Sequence, residues 1–359
     1  MEKAPDRQGP LIGIRVLEFV GIGPAPHCAM LLADLGADVV RIDRPGGNGW
    51  PNPIQDRGRQ ILNLDIRTDA GRTRCLQLAA KADVIIEGFR PGVMERLGLG
   101  PEPVQSLNPR LVYGRITGWG QTGPLARTAG HDINYIALAG ALASMGISGP
   151  PVPPLNLVGD YGGGSMMLAF GILAALLERE RSGKGQIIDA AIVDGVSSLM
   201  SVFAGLLSTN AISMDRDKNL IGGAAPYYRC YACSDGRHIA IGALEPKFFA
   251  ELTGKLGMES TLSAQRDDPA GWAALEAEFA RLFATRTQAE WCDLLQQSDA
   301  CFAPVLSLAE VPGHPHMQAR GSHVEVNGQL QSVPVPRFSR TPGAARPSTM
   351  VGSDDDIWQ

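Results

Sequence analysis

The first half of the chain alternates short apolar segments with segments of helical periodicity. Four apolar segments have the length and composition of strands: 14–20, 37–43, 83–89 and 110–120. Helical patterns at 27–36 and 72–82 lie between the first three. Because a strand joined to the next strand through a helix forms a βαβ unit, this alternation predicts a doubly wound α/β domain with a mainly parallel sheet.

Apolar helical patterns dominate the middle of the chain. They cover 130–146 and 162–185, on either side of a proline-rich loop at 148–160. The segment 185–207 starts like a strand and continues as an apolar helix. The longest apolar run, 166–177, is shorter than a bilayer-spanning helix requires, so we expect no membrane partner.

The pattern changes after about residue 208. The segment 225–244 resembles two antiparallel strands around a turn, and three helical patterns follow at 247–256, 271–284 and 287–297. This predicts a smaller α+β domain. The expected organisation is a large α/β domain over 1–190 and 333–359, a linker helix over 191–221, the small domain over 222–315 and a return linker over 316–332.

Composition excludes several classes of protein. The formal net charge of -5 argues against a nucleic-acid partner. The six cysteines are scattered and do not form a disulfide framework, which favours a reducing compartment and a cytoplasmic location. One Cys-x-x-Cys pair, Cys230 and Cys233, lies in a strand pattern and is interpreted as structural.

Arginines collect at predicted strand ends and in loops of the first half: Arg41, Arg44, Arg57, Arg59, Arg67, Arg90 and Arg96. Any one of them alone is best interpreted as solvated surface. As a group they suit a phosphorylated ligand, because a guanidinium group presents a planar fork of donors to phosphate. Arg44 and Arg90 follow strand ends, where ligands of open α/β sheets bind.

The glycine-containing loop after the first strand argues against a nicotinamide cofactor. The sequence GIGPAP at 21–26 resembles a dinucleotide-binding loop, and Asp43 lies near the position of a ribose-binding acid. Pro26, however, occupies the third glycine position, where close packing of helix against strand is needed. The doubly wound topology is therefore expected without that cofactor.

Four polar residues have more than one interpretation. His131 is compatible with packing, a helix cap, a metal ligand or a base, and Asp132 most simply caps the helix that follows. Asp160 precedes Gly162–Gly164 at the predicted start of an apolar helix, where bare amides would suit an oxyanion; a plain N-cap is equally consistent. Glu245 precedes a predicted helix and alone resembles a cap.

Several longer segments together resemble the alpha-methylacyl-CoA racemase family, which belongs to the family III CoA-transferase superfamily. The likeness covers nearly the whole chain in the same order. The main segments are GIGPAPHCAMLLADLGADVVRIDRPG, EGFRPGVMERLGLG, GWGQTGP, AGHDINYIALAG and VPPLNLVGDYGGGSM.

The resemblance implies roles for particular residues. His131 and Asp160 correspond to two catalytic bases, and Glu245 to a glutamate that pairs with the histidine. It also implies an interlocked homodimer, in which Glu245 reaches His131 across the subunit interface. The implied CoA-binding residues are Arg44, Leu64, Asp65, Ile66, Arg67, Gly88, Phe89, Arg90, Arg96, Gly130, His131, Asp132, Ile133, Asn134 and Tyr135.

The expected reaction is the interconversion of (2R)- and (2S)-2-methylacyl-CoA thioesters through an enolate. Two bases on opposite faces of C2 solve a problem that one base cannot, because a single base mostly returns the proton to the side it came from. No metal or separate cofactor is expected, since CoA is part of the substrate. One alternative is a family III CoA-transferase with Asp160 as nucleophile, but His131 argues against it. The other is a non-catalytic CoA-binding protein, which would have no use for these bases.

Overall fold

The computed structural model describes residues 7–47, 50–353, 355, 357 and 358. Contacts within the chain divide it into two compact units. The first unit contains the described residues of Met1–Ala139, Pro154–Leu199 and Pro315–Gln359, and the second contains Gly140–Pro153 and Met200–His314. This division differs from the expected boundaries, since 140–153 belongs to the second unit and the expected return linker belongs to the first.

The first unit is built on a seven-stranded sheet. Its strands are β1 (Arg15–Phe19), β2 (Asp38–Asp43), β3 (Arg59–Asn63), β4 (Val84–Glu87), β5 (Val112–Thr117), β6 (Ile187–Ala191) and β12 (Thr349–Val351). Their order is β12-β3-β2-β1-β4-β5-β6, and every neighbouring pair is parallel. The predicted doubly wound, mainly parallel sheet is confirmed, and the strand order reverses between β1 and β4.

Helices cover both faces of this sheet. The helices of the first unit are α1 (Pro24–Asp34), α2 (Asp69–Lys81), α3 (Val93–Arg96), α4 (Pro101–Leu107), α5 (Asp132–Leu138), α6 (Met167–Ser182), α7 (Ile192–Leu199) and α13 (Pro315–Ala319). Buried residues of α1 and α6 form one core with one face of the strands. Buried residues of α2, α3 and α4 form a second core on the opposite face. Because both faces are buried, the central strands have the nearly continuous apolar sequences that made them recognisable.

The strand β3 was not predicted. Its sequence RQILN includes polar residues, and it carries Arg59, which is fully buried. The Arg59 guanidinium donates to the Glu18 carboxylate on β1. This pairing satisfies two charges inside the sheet, which explains how a polar segment is accommodated there.

A π-helix, Leu157–Met166, runs directly into α6. It packs closely against α7, because Gly163 of the π-helix and Gly195 of α7 leave no space between the two backbones. A Cβ atom built on Gly195 would lie only 1.8 Å from the Gly163 carbonyl oxygen. Glycine is therefore required at this crossing.

The continuous helical stretch Leu157–Ser182 is 26 residues long, with a mean hydropathy of 1.4 in its most apolar window. By length and composition alone it could cross a membrane, although core helices of other proteins meet the same criteria. Leu168, Ile172 and Leu176 of this stretch belong to the core formed with the sheet. It is longer than the apolar run 166–177 because the π-helix extends it toward the N-terminus.

The second unit contains a three-stranded antiparallel sheet with the order β7-β8-β9. Its strands are β7 (Tyr228–Ala232), β8 (His238–Gly242) and β9 (Phe302–Pro304). Its helices are α8 (Ser201–Ser208), α9 (Pro246–Leu256), α10 (Ser260–Ser263), α11 (Trp272–Phe283) and α12 (Gln288–Leu295). An aromatic core forms where Tyr231 packs against Phe279 and Phe283. The predicted α+β character of this region is confirmed.

The C-terminal segment belongs to the first unit. The hairpin of β10 (His323–Val326) and β11 (Gln329–Ser332) is joined to it through Arg57, which donates to the Gln331 side chain at 2.8 Å. Further along, the Gly58 amide donates to the Arg346 carbonyl at 2.7 Å, and β12 then pairs with β3. The extended proline-rich segment thus returns to the large sheet.

Candidate active site

A cavity of about 1530 Å³ lies in the first unit at the carboxyl ends of the parallel strands. Its walls come from the loops that follow β1, β2, β3, β4 and β5. The loops after β1 and β4 meet where the strand order reverses. In open α/β sheets this is the position at which ligands bind, so the cavity is the candidate active site.

Most of the predicted CoA-binding residues line this cavity. They are Arg44, Leu64, Asp65, Ile66, Arg67, Gly88, Phe89, Arg90, Gly130, His131 and Tyr135. Arg96, Asp132, Ile133 and Asn134 are not among its lining residues. Arg96 is exposed on α3, Ile133 and Asn134 are exposed on α5, and Asp132 is buried beside the cavity wall. A contact between CoA and any of these residues stays a prediction.

Three arginines of the predicted phosphate-binding group are already occupied. Arg41 donates to Asp56 at 2.5 Å and to Asp43 at 3.2 Å, Arg57 is paired with Asp34, and Arg59 with Glu18. All three arginines are buried. The prediction that they contribute to a phosphate site is wrong, because carboxylates inside the protein pair with all three guanidinium groups. Arg44, Arg67 and Arg90 line the cavity. The Arg67 guanidinium is paired with the Asp65 carboxylate at 2.8 Å, but 81% of its side chain is exposed, so it stays accessible to a ligand.

His131 is held at the start of α5 by its own backbone. Its amide donates to the Asn134 Oδ1 atom at 3.0 Å, and its carbonyl accepts from the Asn134 amide at 2.8 Å. The Tyr135 hydroxyl donates to the Gly130 carbonyl at 2.5 Å, and its ring packs edge-on against Trp119. These contacts fix the residue that precedes the helix, so an exposed imidazole is presented from a rigid backbone.

Asp160 lies in the first turn of the π-helix and lines the same cavity as His131. Its Oδ2 atom accepts from the Asn156 Nδ2 atom at 3.2 Å. Burial raises the pKa of the Asp160 carboxyl, and the nearby charge of Asp132 raises it further; the Asn156 hydrogen bond and the charge of His131 act in the opposite direction. A cavity carboxyl with a raised pKa is suited to both accepting and returning a proton.

Asp132 caps the π-helix rather than its own helix. Its Oδ1 atom accepts from the Asp160 amide at 2.6 Å, and the Gly159 amide also donates to this carboxylate. The N-cap of α5 is His131. The expectation that Asp132 caps the helix that follows it is therefore wrong. Its side chain instead satisfies amides in the first turn of the helix that carries Asp160.

The glycines Gly162–Gly164 do not open a helix. They lie inside the π-helix, which already begins at Leu157. Amides inside a helix are used in its own hydrogen bonds, so these three are not the bare donors that the sequence suggested. Their function is packing: Gly163 and Gly164 are buried, and a Cβ atom on either would meet side chains of α7.

Asn156 and Tyr161 border the cavity but were not predicted. The Tyr161 ring lies 4.7 Å from the His27 ring, and the His27 Nδ1 atom is 2.7 Å from the Ser165 hydroxyl. These contacts attach the π-helix to α1. Asn156 could have been found from its spacing, since a residue four positions before Asp160 lies on the same face of a helix.

Glu245 belongs to the second unit, where it is the exposed residue immediately before α9. Its carbonyl accepts from the Phe249 amide at 3.0 Å, and its side chain forms no cap hydrogen bond with α9. The side chain is thus not used as the cap that the local sequence suggested. Its pairing with His131 stays a prediction.

Comparison with known proteins identifies the family. Residues 11–354 match the model of CoA-transferase family III. This chain belongs to that family. It is 44% identical to "Alpha-methylacyl-CoA racemase" of Mus musculus and 43% identical to that of Homo sapiens, in each case over 334 residues that cover 92% of this chain and 87% of the relative. The predicted family resemblance is confirmed.

The fold agrees with solved structures of the same group. The crystal structure of a CAIB/BAIF family protein from Brucella suis is similar to this chain with a TM-score of 0.82 and 27% sequence identity. The likeness covers 96% of this chain and 97% of that protein.

Proposed function

We propose that this chain is a racemase that interconverts (2R)- and (2S)-2-methylacyl-CoA thioesters. The observation that carries the proposal is that His131 and Asp160, two side chains able to exchange protons, border one cavity at the ligand-binding edge of the sheet. Two relatives that are 43–44% identical over most of the chain bear the name of this activity.

The two bases act in turn on C2 of the acyl group. One removes the proton and leaves an enolate, whose negative charge lies on the thioester oxygen. The other delivers a proton to the opposite face, which inverts C2 in a 1,1-proton transfer. Glu245 holds the imidazole of His131 and stabilises its protonated form. The reaction consumes no electrons and joins no second substrate, so we propose no cofactor; CoA is part of the substrate.

The CoA moiety is bound along the loops at the strand ends. Arg44, Arg67 and Arg90 on the cavity wall provide guanidinium groups for its phosphates. The segments 64–67 and 88–90 contact the adenosine part, and 130–135 follow the pantetheine arm to the thioester. Binding energy from this distant part of the substrate holds C2 between the two bases.

A homodimer is the proposed assembly. Helix α6 and the residue before it expose a stripe of large apolar side chains at helical spacing: Met166, Phe170, Leu173 and Leu177. Exposed apolar patches of this kind mark interaction surfaces. A second copy that covers this stripe, in an interlocked arrangement, would place Glu245 of one subunit beside His131 of the other. Membrane and nucleic-acid partners are not part of the proposal, and the proposed location is the cytoplasm.

One experiment separates the racemase from the CoA-transferase alternative, in which the Asp160 carboxylate attacks the thioester. A single epimer of a 2-methylacyl-CoA is incubated with the protein in deuterated water together with a free carboxylic acid. The racemase incorporates deuterium at C2 and produces the other epimer while CoA stays on its original acyl group. Transfer of CoA to the free acid without deuterium at C2 would contradict the proposal.

A further inference from the structure

We propose that Asp132 is a positioning residue that fixes the distance between the two bases. This inference rests on the proposed function, because it concerns the residues assigned as bases there. It adds a role that the CoA-binding prediction for Asp132 did not contain. The role follows from where the Asp132 side chain is directed, which is away from the cavity wall and into the first turn of the π-helix.

Asp132 is attached to both bases. Its backbone follows His131 directly, and His131 is the N-cap of the helix in which Asp132 is the first residue. Its carboxylate accepts from the amide of Asp160 at 2.6 Å and from the amide of Gly159. A single residue thus joins the backbone segments that carry the imidazole and the carboxyl group. A shift of about 1 Å between such groups can reduce turnover by about 100-fold.

The contact is closely fitted. A Cβ atom built on Gly159 would lie only 2.2 Å from the Asp132 Oδ1 atom. Any side chain at 159 would push the carboxylate away from the helix, so the glycine is what allows Asp132 to reach the amides. The surrounding fold therefore maintains this approach of a carboxylate to a helix start.

The buried charge has a further consequence. Asp132 is 8% exposed, and its Oδ2 atom is buried without a hydrogen-bond partner among the described residues. Desolvation is the main cause of the raised pKa of Asp160, and the negative charge of Asp132 raises it further, whereas the hydrogen bond from Asn156 and the charge of His131 lower it. On the α1 side, the His27 ring packs against the Tyr161 ring, and the His27 Nδ1 atom lies 2.7 Å from the Ser165 hydroxyl. Asp132 therefore affects both the position and the proton affinity of the base.

The test compares Asp132→Asn, which keeps a side-chain oxygen, with Asp132→Ala, which does not. In the alanine variant we expect kcat for epimer interconversion to fall about 100-fold with little change in CoA affinity. Amide hydrogens at Gly159 and Asp160 should exchange about 2- to 30-fold faster, the range that corresponds to a lost cap. The asparagine variant should restore amide protection and most of kcat.

The asparagine variant also has a pH signature that a purely structural role would not produce. Removing the negative charge lowers the pKa of Asp160, so the acidic limb of the rate profile should move to lower pH. If the alanine variant does not fold, Asp132→Ser, which keeps a shorter acceptor, replaces it. Its kcat and its amide protection at Gly159 and Asp160 should lie between those of the wild type and those of a helix without the cap.

Asp235 provides a matched control. Its carboxylate accepts from the amide of Gln288, the first residue of α12, at 3.1 Å, in the second unit. Asp235→Ala should lower stability without changing kcat or the pH profile. The inference is overturned if Asp132→Ala keeps wild-type kcat, or if Asp132→Asn restores neither turnover nor amide protection. Absence of C2 exchange in the wild type would instead refute the proposed function, while amide exchange still reports whether Asp132 fixes Asp160.

Discussion

At the scale of single residues, the proton affinity of Asp160 results from opposing contacts. Desolvation is the largest effect and raises its pKa above the ordinary value of 3.8, and the Asp132 charge adds to it. The Asn156 hydrogen bond to Oδ2 acts in the opposite direction by stabilising the ionised form. The group is therefore ionised over a narrower range of pH than a free aspartate.

Asn156→Ala removes one of these contacts and gives a prediction with a definite sign. Without the donor, the ionised form of Asp160 is less stable, so its pKa rises further. The acidic limb of the kcat profile should move to higher pH, because at a given acidic pH a larger fraction of Asp160 is protonated and unable to accept a proton. Rates measured from acidic to neutral pH check this; an unchanged or acid-shifted limb would contradict it.

The family resemblance made His131 and Asp160 the candidate bases, and the structure places both on one cavity, but the sequence did not predict what surrounds them. The contact between Asp132 and the amide of Asp160 joins residues 28 positions apart, which no local pattern encodes. For the same reason, Arg57 and Arg59 looked from the sequence like cations available to a phosphate. Their acidic partners, Asp34 and Glu18, lie 23 and 41 positions away. Ion pairing inside the fold is decided by tertiary contacts.

At the scale of elements, the position of Asp160 depends on how the π-helix packs against α7. Gly163 and Gly195 allow the two backbones to approach directly. The sequence predicted an apolar helix here but did not distinguish an α-helix from a π-helix. Apolar residues on one face and glycines are compatible with both types of helix. The strand β3 was not predicted for a related reason: its buried Arg59 makes the segment polar in sequence although it lies inside the sheet.

Gly195→Ala should disturb this crossing. The added methyl group would lie 1.8 Å from the Gly163 carbonyl oxygen, so the helices must separate. We expect a loss of stability of about 1–3 kcal/mol, typical of overpacking, and a fall in kcat as Asp160 moves. Gly205→Ala in α8 is the control, because a Cβ atom there meets nothing within 4 Å. Denaturant unfolding and turnover of both variants measure the difference; equal stability for both would contradict the packing account.

At the scale of the whole molecule, the alternating pattern of strands and helices was enough to predict the class of the large sheet. It did not predict which segments belong to each compact unit, because long-range contacts decide where 140–153 and the C-terminal hairpin belong. Nor does a single chain explain why α6 exposes Phe170 and Leu177, which are 73% and 70% exposed. The proposed homodimer gives these side chains a partner.

Phe170→Glu tests that assembly. A charge in the middle of the apolar stripe should prevent a second copy from covering it, since an unpaired charge is costly to bury. We expect the wild type to sediment as a dimer and the variant as a monomer with greatly reduced turnover. Leu107→Glu, at an exposed apolar position on α4, should leave the assembly unchanged. A monomeric wild type, or a variant that remains dimeric, would contradict an interface on this stripe.

The central claim is that His131 and Asp160 act together on one carbon atom. The most direct test is the rate at which His131→Ala and Asp160→Ala interconvert the epimers of a 2-methylacyl-CoA, measured alongside their affinity for CoA. Each substitution should reduce interconversion by at least 100-fold, as removal of a general base does, and leave CoA affinity nearly unchanged. Interconversion at a near wild-type rate in either variant would remove that residue from the mechanism and contradict the two-base account.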